Sequence, residues 1–415
     1  MKVVRLEGTA WTDYRESADL EEPVREILQA VATRGDAAVL EFTERFDHAA
    51  LAPDQLAVDA RELEASLGAL EPAVVAALRT AIVNVRAVAA GQVRDATTVE
   101  LEAGHSVQIA ELPVRRAAIY VPGGRAPYPS TVVMGAVTAR TAGVEEIVVC
   151  APPGPGGRAH PVILAACELC GVHEVYRMGG AQAIAALAYG TESVRRVDVI
   201  AGPGNAYVQE AKRQVAWTHV GIDGVAGPSE LAILAAGAGV DPELLALDLL
   251  AQAEHGADSQ LWLVSPEPPL LDAIIETVER VAPGRPSVAD APLQAISVNT
   301  ALEKLRLLDA IAPEHLELVG ADAEALADRV RSAGCLFVGA GAATAFGDYV
   351  AGSNHVLLTG GAARFQSALS PATFRRRMAR VSLPAGAATR LAPAGAALAR
   401  AEGFPVHAES MERRA

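Results

Sequence analysis

From residue 113 onward the chain alternates short apolar runs with helical stretches, and this rhythm restricts its fold more than any other feature. AAIYVPGG is an apolar run ending in Gly, and STVVMGAVTARTAG reads as a helix with Ser130 as its N-cap. EEIVVCAPP then HPVILAACELCG, HEVYRMGG then AQAIAALAYG, and RVDVIAGPG then NAYVQEAKRQVAW repeat the pairing. Such alternation predicts a parallel sheet wound with helices. After IDGVAGPSELAILA it resumes with PELLALDLLAQAEHG as helix, SQLWLVSP as strand and PLLDAIIETVERV as helix, which predicts a second α/β sheet. No close internal repeat joins the two stretches. Residues 1–20 read as a short polar arm and 21–112 as mostly helical, with Val24, Ile27, Leu28 and Val31 at helical spacing. Beyond about residue 370 the chain is Ala-rich, basic and helical in pattern.

Composition excludes several classes. A chain of 415 residues has room for two or three domains, and 51% apolar with 20% charged residues means a globular chain. The longest apolar runs are broken by Gly, Pro or charge, so no membrane span is expected. The first residues carry no apolar core of a secretory signal, so a cytoplasmic location is expected. The net charge is 35 − 50 = −15 and aromatics are 4%, which argues against nucleic-acid binding. Cys167 and Cys170 form a C-x-x-C, but within VILAACELCG they read as helix packing; Cys150 and Cys335 are isolated, and no disulfide is expected.

Two regions hold candidate chemistry. The turns VPGGRAPYPS, MGGAQA and AGPGNAY follow predicted strands, where ligands of parallel sheets bind, although neither G-x-G-x-x-G nor a P-loop is present. These turns suit a phosphate-bearing cofactor, but ordinary strand–helix connections also favour Gly and are the more common case. Of nine histidines, His48, His105, His160, His173 and His219 read as surface residues. Gln252 and His255 are three apart and share a helix face; His315 follows Glu314 and Pro313 on a turn; His355 lies seven after Asp348, and His407 five after Glu402. Imidazole with oxygen donors suits zinc, and less decisively manganese or iron, but H-E-x-x-H is absent and a lone His is more often a satisfied structural residue. An adjacent Glu–His pair suits general acid–base work, because His titrates near neutrality.

YVPGGRAPYPSTVVM, MGGAQAIAALAYGTESV, AGPGNAYVQEAKRQV, AGPSEL, AQAEHGADSQ, APEHLEL, GDYVAGSNHVL and a final EG-x-x-x-H occur in this order, and in them the chain resembles the histidinol dehydrogenase family from about residue 20 to the C-terminus. The resemblance implies an α/β fold of two Rossmann-like parallel-sheet domains lacking the usual dinucleotide fingerprint, plus a short N-terminal arm (1–20) and a helical C-terminal dimerisation tail (371–415). It implies an NAD-binding domain at 113–228 and a substrate and zinc domain formed by 21–112 with 229–370. By the same likeness Gln252, His255, Asp348 and His407 match zinc ligands, and Glu314 and His315 a catalytic acid–base pair. Tyr120, Gln182 and Asn205 match NAD positions. Ser229, Gln252, His255, Glu314, Asp348, His355, Glu402 and His407 match substrate contacts.

The activity so implied is oxidation of L-histidinol to L-histidine through bound L-histidinal, with two NAD+ and water, ending histidine biosynthesis. One zinc ion per subunit and a homodimer with interlocked subunits are implied, His407 completing the partner's site. Neither nucleic acid nor a membrane is an expected partner. Arg125, Pro127, Gly224 and Leu358 depart from the residues the family most often carries. The rival readings are a related zinc and NAD dehydrogenase acting on another small polar alcohol, an aldehyde-dehydrogenase-like enzyme with a Cys nucleophile, and an inactive metal-binding scaffold.

Overall fold

The structure is a computed structural model that describes residues 1–12, 20–123 and 126–415. Part of the N-terminal arm, and Arg125 in the first Gly-rich turn, lie outside the described residues. Along the chain the strands are β1 (Lys2–Glu7), β2 (Thr97–Glu100), β3 (Ser106–Pro113), β4 (Arg116–Tyr120), β5 (Glu146–Ala151), β6 (Glu174–Arg177) and β7 (Val199–Ala201). There follow β8 (Gly221–Ile222), β9 (Glu230–Ala235), β10 (Gln260–Ser265), β11 (Pro292–Ser297), β12 (His315–Val319), β13 (Cys335–Val338) and β14 (Arg375–Ser382).

Two parallel sheets form the body. The first runs β6-β5-β4-β7-β8, and the second β1-β11-β10-β9-β12-β13. Taken from its own first strand, each has the order 3-2-1-4-5, and β1 is added at the edge of the second. The two halves are therefore alike in topology although their sequences show no repeat. In each, the order reverses between the first and fourth strands, and that crevice is where open α/β sheets bind ligands. The third sheet, β14-β3-β2, is antiparallel.

Side chains alternate across the strands, so each sheet feeds a core on both faces. Ala118 and Tyr120 of β4 pack with Val24, Ile27, Leu28 and Val31 of the helix Glu21–Arg34, whereas Ala117 and Ile119 face Leu78, Ile82 and Val85 of the helix Pro72–Ala90. Burying each such aliphatic side chain stabilises the fold by about 1.5–3 kcal/mol. In the second sheet Leu231, Ile233, Leu261 and Leu263 form one core, while Ala232, Leu234, Trp262 and Val264 form the other.

Several expectations change. The helices before residue 91 pack on the first sheet, because their apolar stripes find partners on β4 and its neighbours, and the helix Pro72–Ala90 also meets residues 350–369, with Asn84 Nδ2 donating to the Val350 carbonyl at 2.8 Å. Residues 97–113 are not helical but supply β2 and β3. Residues 2–7 are a strand of the second sheet and not a loose arm. The tail begins with β14, which pairs with β3, before its helices Ala385–Ala401 and Pro405–Glu412. Ser130 lies inside the helix Pro129–Val132, whose N-cap position is Tyr128; Pro129 takes the first helical position, where its missing N–H costs nothing. Among the described residues the helix Pro72–Ala90 is long and apolar enough by length and composition to cross a membrane. It carries Arg79 and Arg86, and its apolar face packs into the first core. Cys167 is buried on the helix Pro161–Leu169 and Cys170 follows it; both are free thiols, as the packing reading expected.

Candidate active site

The three Gly-rich turns of the first half meet in one cavity of about 350 Å³. Tyr120 ends β4, Gln182 lies in the first turn of the helix Gly180–Tyr189, and Asn205 caps the helix Ala206–Val215 by accepting the Val208 N–H at 3.1 Å. All three line the cavity with Phe46, Asp47 and Tyr207. The Tyr120 hydroxyl accepts the Gly180 N–H at 3.1 Å, and burial pushes its ionisation up, so it stays a neutral phenol. Gly202 has φ +127°, and a Cβ there would strike the Tyr120 carbonyl; only Gly lets β7 end this close to β4. The buried Gln182 Oε1 has no hydrogen-bond partner, so the cavity holds an unused acceptor. The cavity thus sits at the carboxyl ends of β4 and β7, at the reversal of strand order.

The Glu314–His315 pair occupies the opposite ends of the second sheet's strands. Glu230 opens β9 and His315 opens β12, and Gln252 and His255 sit where the helix Pro242–Ala253 runs out before β10. Sequence reasoning put Glu314 and His315 on a turn; His315 is instead the first residue of a fully buried strand, and the turn is Ala312 (φ +46°) with Pro313 just before it.

Glu230 joins the pieces. Its backbone N–H donates to Glu314 Oε2 at 2.9 Å, its own carboxylate accepts the Glu314 N–H at 3.2 Å and the Gly360 N–H at 2.9 Å, and its carbonyl lies 3.1 Å from His315 Nδ1. A carbonyl can only accept, so Nδ1 carries the proton and Nε2 faces the Asp348 carboxylate at 3.6 Å. Burial pushes the Glu314 carboxyl up to about 7, against the pull of His315. Burial works against the charged imidazole as well, but Glu314 and Asp348 outweigh it and raise His315 to about 9. Neutrality near pH 6.5, expected for an isolated ring, is thus overridden by two flanking carboxylates. Burial would raise Asp348, but His315, His355 and His255 hold it below the usual carboxylate range.

His355 donates from Nδ1 to the Asp348 carbonyl at 2.8 Å, and its Nε2 lies 3.2 Å from Thr131 Oγ1. Thr131 belongs to a helix of the first half, so this contact ties the two halves together at the site. Burial lowers His355, keeping it neutral. Asp348 rides on the helix Thr344–Tyr349, whose start is fixed by Glu317: its carboxylate accepts the Thr344 N–H at 2.8 Å and the Thr344 hydroxyl at 2.7 Å. Ser229 is half-buried beside Glu230, and its carbonyl accepts the Gln260 N–H at 2.9 Å.

The donors for a cation are only partly assembled in one chain. Gln252, His255 and Asp348 come from neighbouring elements, with His255 close enough to act on the charge of Asp348. The Gln252 amide nitrogen is buried without a hydrogen-bond partner, and a half-turn of the amide would offer oxygen in its place. A buried amide, an imidazole and a carboxylate fit zinc in chemistry. Yet no three His, Cys, Asp or Glu side chains gather closely enough to hold an ion among the described residues. Glu402 and His407 are exposed on the tail, where the His407 ring lies tilted against Phe404 at 5.4 Å between centroids, and His407 is not gathered with His255 and Asp348. Sequence reasoning missed Asp47, Thr131, Glu230 and Glu317. For Glu230 and Glu317 a signal exists: Glu230 heads the apolar run LAILA, and Glu317 sits between Leu316 and Leu318, where a buried charge demands built-in partners.

The histidinol dehydrogenase family model matches residues 12–415. The chain belongs to the histidinol dehydrogenase family. A histidinol dehydrogenase of Cereibacter sphaeroides is 46% identical over 407 residues, covering 96% of this chain and 93% of that protein. One of Parasynechococcus marenigrum is 44% identical over 414 residues, covering 98% and 93%. The crystal structure of histidinol dehydrogenase from Elizabethkingia anophelis superposes with a TM-score of 0.93 at 31% identity, covering 100% of this chain and 98% of that one. The family assignment and the buried Glu314–His315 pair disfavour both the Cys-nucleophile reading and the inactive scaffold; Cys150 and Cys167 are moreover buried with their thiols pushed up and held neutral.

Proposed function

We propose that this family member oxidises L-histidinol to L-histidine through bound L-histidinal, using two NAD+ and one zinc ion per subunit. The observation that carries the reading is the buried Glu314–His315 pair, locked to Glu230 and faced by Asp348 beside Gln252 and His255. A zinc ion held by Gln252, His255, Asp348 and the tail's His407 would supply Lewis-acid charge, engage the Asp348 carboxylate and bind nitrogen atoms of the substrate. NAD+ at Tyr120, Gln182 and Asn205 would accept hydride.

The chain's own groups do the rest. His315 keeps a proton on Nδ1; in the form deprotonated at Nε2, which gains population as pH rises towards about 9, it takes the substrate's hydroxyl proton at Nε2, and it acts again when the hydrated aldehyde is oxidised. Glu314, a carboxyl whose burial keeps it poised near neutrality, takes a proton from the water that hydrates the aldehyde. Ser229 and His355 orient the substrate, with His355 held by Asp348 and Thr131. Glu402 is suited to the substrate's ammonium group, which favours an amino alcohol over an anionic alcohol of the rival reading.

A homodimer completes the site. β14 anchors the tail to the body, while the helices beyond it expose Leu398, Phe404 and Val406 together with Glu402 and His407. An apolar surface carrying two unassembled site residues fits docking into a second copy of the chain. The deciding experiment is histidinol-dependent NADH formation by chelator-stripped protein, with and without added zinc. Activity that returns only with metal supports the reading. Full activity without metal, or none with histidinol in any state, overturns it.

A further inference from the structure

In most dinucleotide-binding sheets a carboxylate at the end of the second strand hydrogen-bonds the adenosine ribose. Here the second strand of the first sheet is β5, which ends in Ala151 and runs into Pro152. Pro152 lines the cavity where that carboxylate would stand. The cavity nonetheless contains a carboxylate, brought from outside the sheet. Asp47 is the last residue of the helix Asp36–Asp47, which packs against the helix Gly180–Tyr189. Among the described residues lining the cavity, Asp47 is the only charged one.

We propose that Asp47 holds the adenosine ribose diol of the bound dinucleotide and excludes the 2′-phosphorylated form. Its placement serves the helix poorly, since a carboxylate at a helix C-terminus faces the negative end of the dipole. Among the described residues it also lacks close donors: the Gln182 amide reaches it at 3.4 Å, a long contact that leaves room for shorter ones. Burial accordingly pushes its carboxyl up to about 6, the signature of a carboxylate short of hydrogen bonds. Two ribose hydroxyls are donors of the right number, and they would hold it ionised. A phosphate in their place would bring like charge against Asp47, with no described Lys or Arg lining the cavity to offset it. Tyr207, exposed at the same cavity, offers an aromatic face for the adjoining base, whereas Phe46 is stacked on Phe42 at 5.7 Å and covered by the Arg45 guanidinium.

This inference rests on the reading of the cavity as the NAD site, so the test separates the two. NADH or NADPH formation is followed with NAD+ and NADP+ in wild type, Asp47→Asn, Asp47→Ser and Gln182→Ala, with thermal unfolding of each protein. Both Asp47 variants are expected to raise KM for NAD+ tenfold or more and to narrow the NAD+ over NADP+ preference, leaving KM for histidinol unchanged. Unaltered cofactor KM and preference in folded Asp47 variants, with Gln182→Ala still impaired, overturn the role of Asp47 alone. A raised KM with unchanged preference also overturns it, because Asp47 then touches another part of the cofactor. If Gln182→Ala leaves cofactor KM unchanged as well, the cavity is not the NAD site. Wild type offers a reading independent of any variant's folding: equal use of NADP+ and NAD+ refutes the exclusion.

Discussion

At the scale of single residues, His315 and Glu314 show how backbone hydrogen bonds assign chemical roles. The Glu230 carbonyl fixes the His315 proton on Nδ1, leaving Nε2 to face Asp348, and the Glu230 N–H holds one Glu314 oxygen. Glu314→Gln removes proton acceptance without changing shape. It is expected to slow histidinal oxidation by about 10²–10⁴, the usual worth of a general base, while slowing the first oxidation far less. Steady-state rates on histidinol and histidinal check this, and equal losses on both would assign Glu314 another role. Glu230→Gln replaces an acceptor of two backbone N–H groups with an amide that can serve one. Leaving a buried N–H unpaired costs about 1–3 kcal/mol, so the melting temperature and kcat should fall together. An unchanged melting temperature would mean that those N–H groups find other acceptors.

At the scale of elements, β4 is pinned at both ends by charged or polar groups. Tyr120 closes it at the cavity, and Arg116 opens it, buried, with Glu146 at 3.0 Å and Glu174 at 2.8 Å. Arg116 and its neighbours hold the Glu146 carboxyl below the usual range; Glu174 is raised by burial, but the Arg116 and Tyr176 hydrogen bonds outweigh this and lower it too. A carboxyl lowered by folding contributes stability that is complete above its ordinary value of 4.5 and is lost as pH falls through the lower folded value. Unfolding midpoints measured from pH 7 down to pH 3 should therefore decline, and Arg116→Met should flatten that decline while lowering stability at neutral pH. An identical slope in the variant would mean that other carboxyls set the acid limit. The helix Thr344–Tyr349 illustrates the same dependence: six residues cannot hold Asp348 in place unaided, and the buried Glu317 cap supplies the anchor.

For the whole molecule, the consequence of the fold is that each half contributes a different end of its strands. The first sheet places the carboxyl ends of β4 and β7 at the cavity proposed for the cofactor, and the second places the amino ends of β9 and β12 at the Glu314–His315 pair. Thr131 against His355 lies at the seam between the two halves. If the tail completes the partner's site, co-expressing His315→Ala with His407→Ala should restore activity that neither variant shows alone. The mixed dimer then has one site built from an intact body and an intact tail. No rescue, with mixed dimers verified by two distinguishable tags, would mean that each tail serves its own body.

Much of the architecture was legible before any coordinates. The alternation of strands and helices set two parallel sheets, and the helical spacing of Val24, Ile27, Leu28 and Val31 set a buried face, because these follow from local periodicity. The three Gly-rich turns marked the cavity, since close backbone approach requires Gly, as Gly202 against Tyr120 shows. Which sheet those early helices cover was decided only by packing, because an apolar stripe says that it is buried and not against what. The shared strand order of the halves, Asp47 entering a cavity built by residues far along the chain, and the Glu230 lock on Glu314 and His315 likewise came from the tertiary structure. Each joins residues separated by tens to hundreds of positions, and no local pattern encodes such a meeting; a buried charge in a strand signals only that a partner must exist.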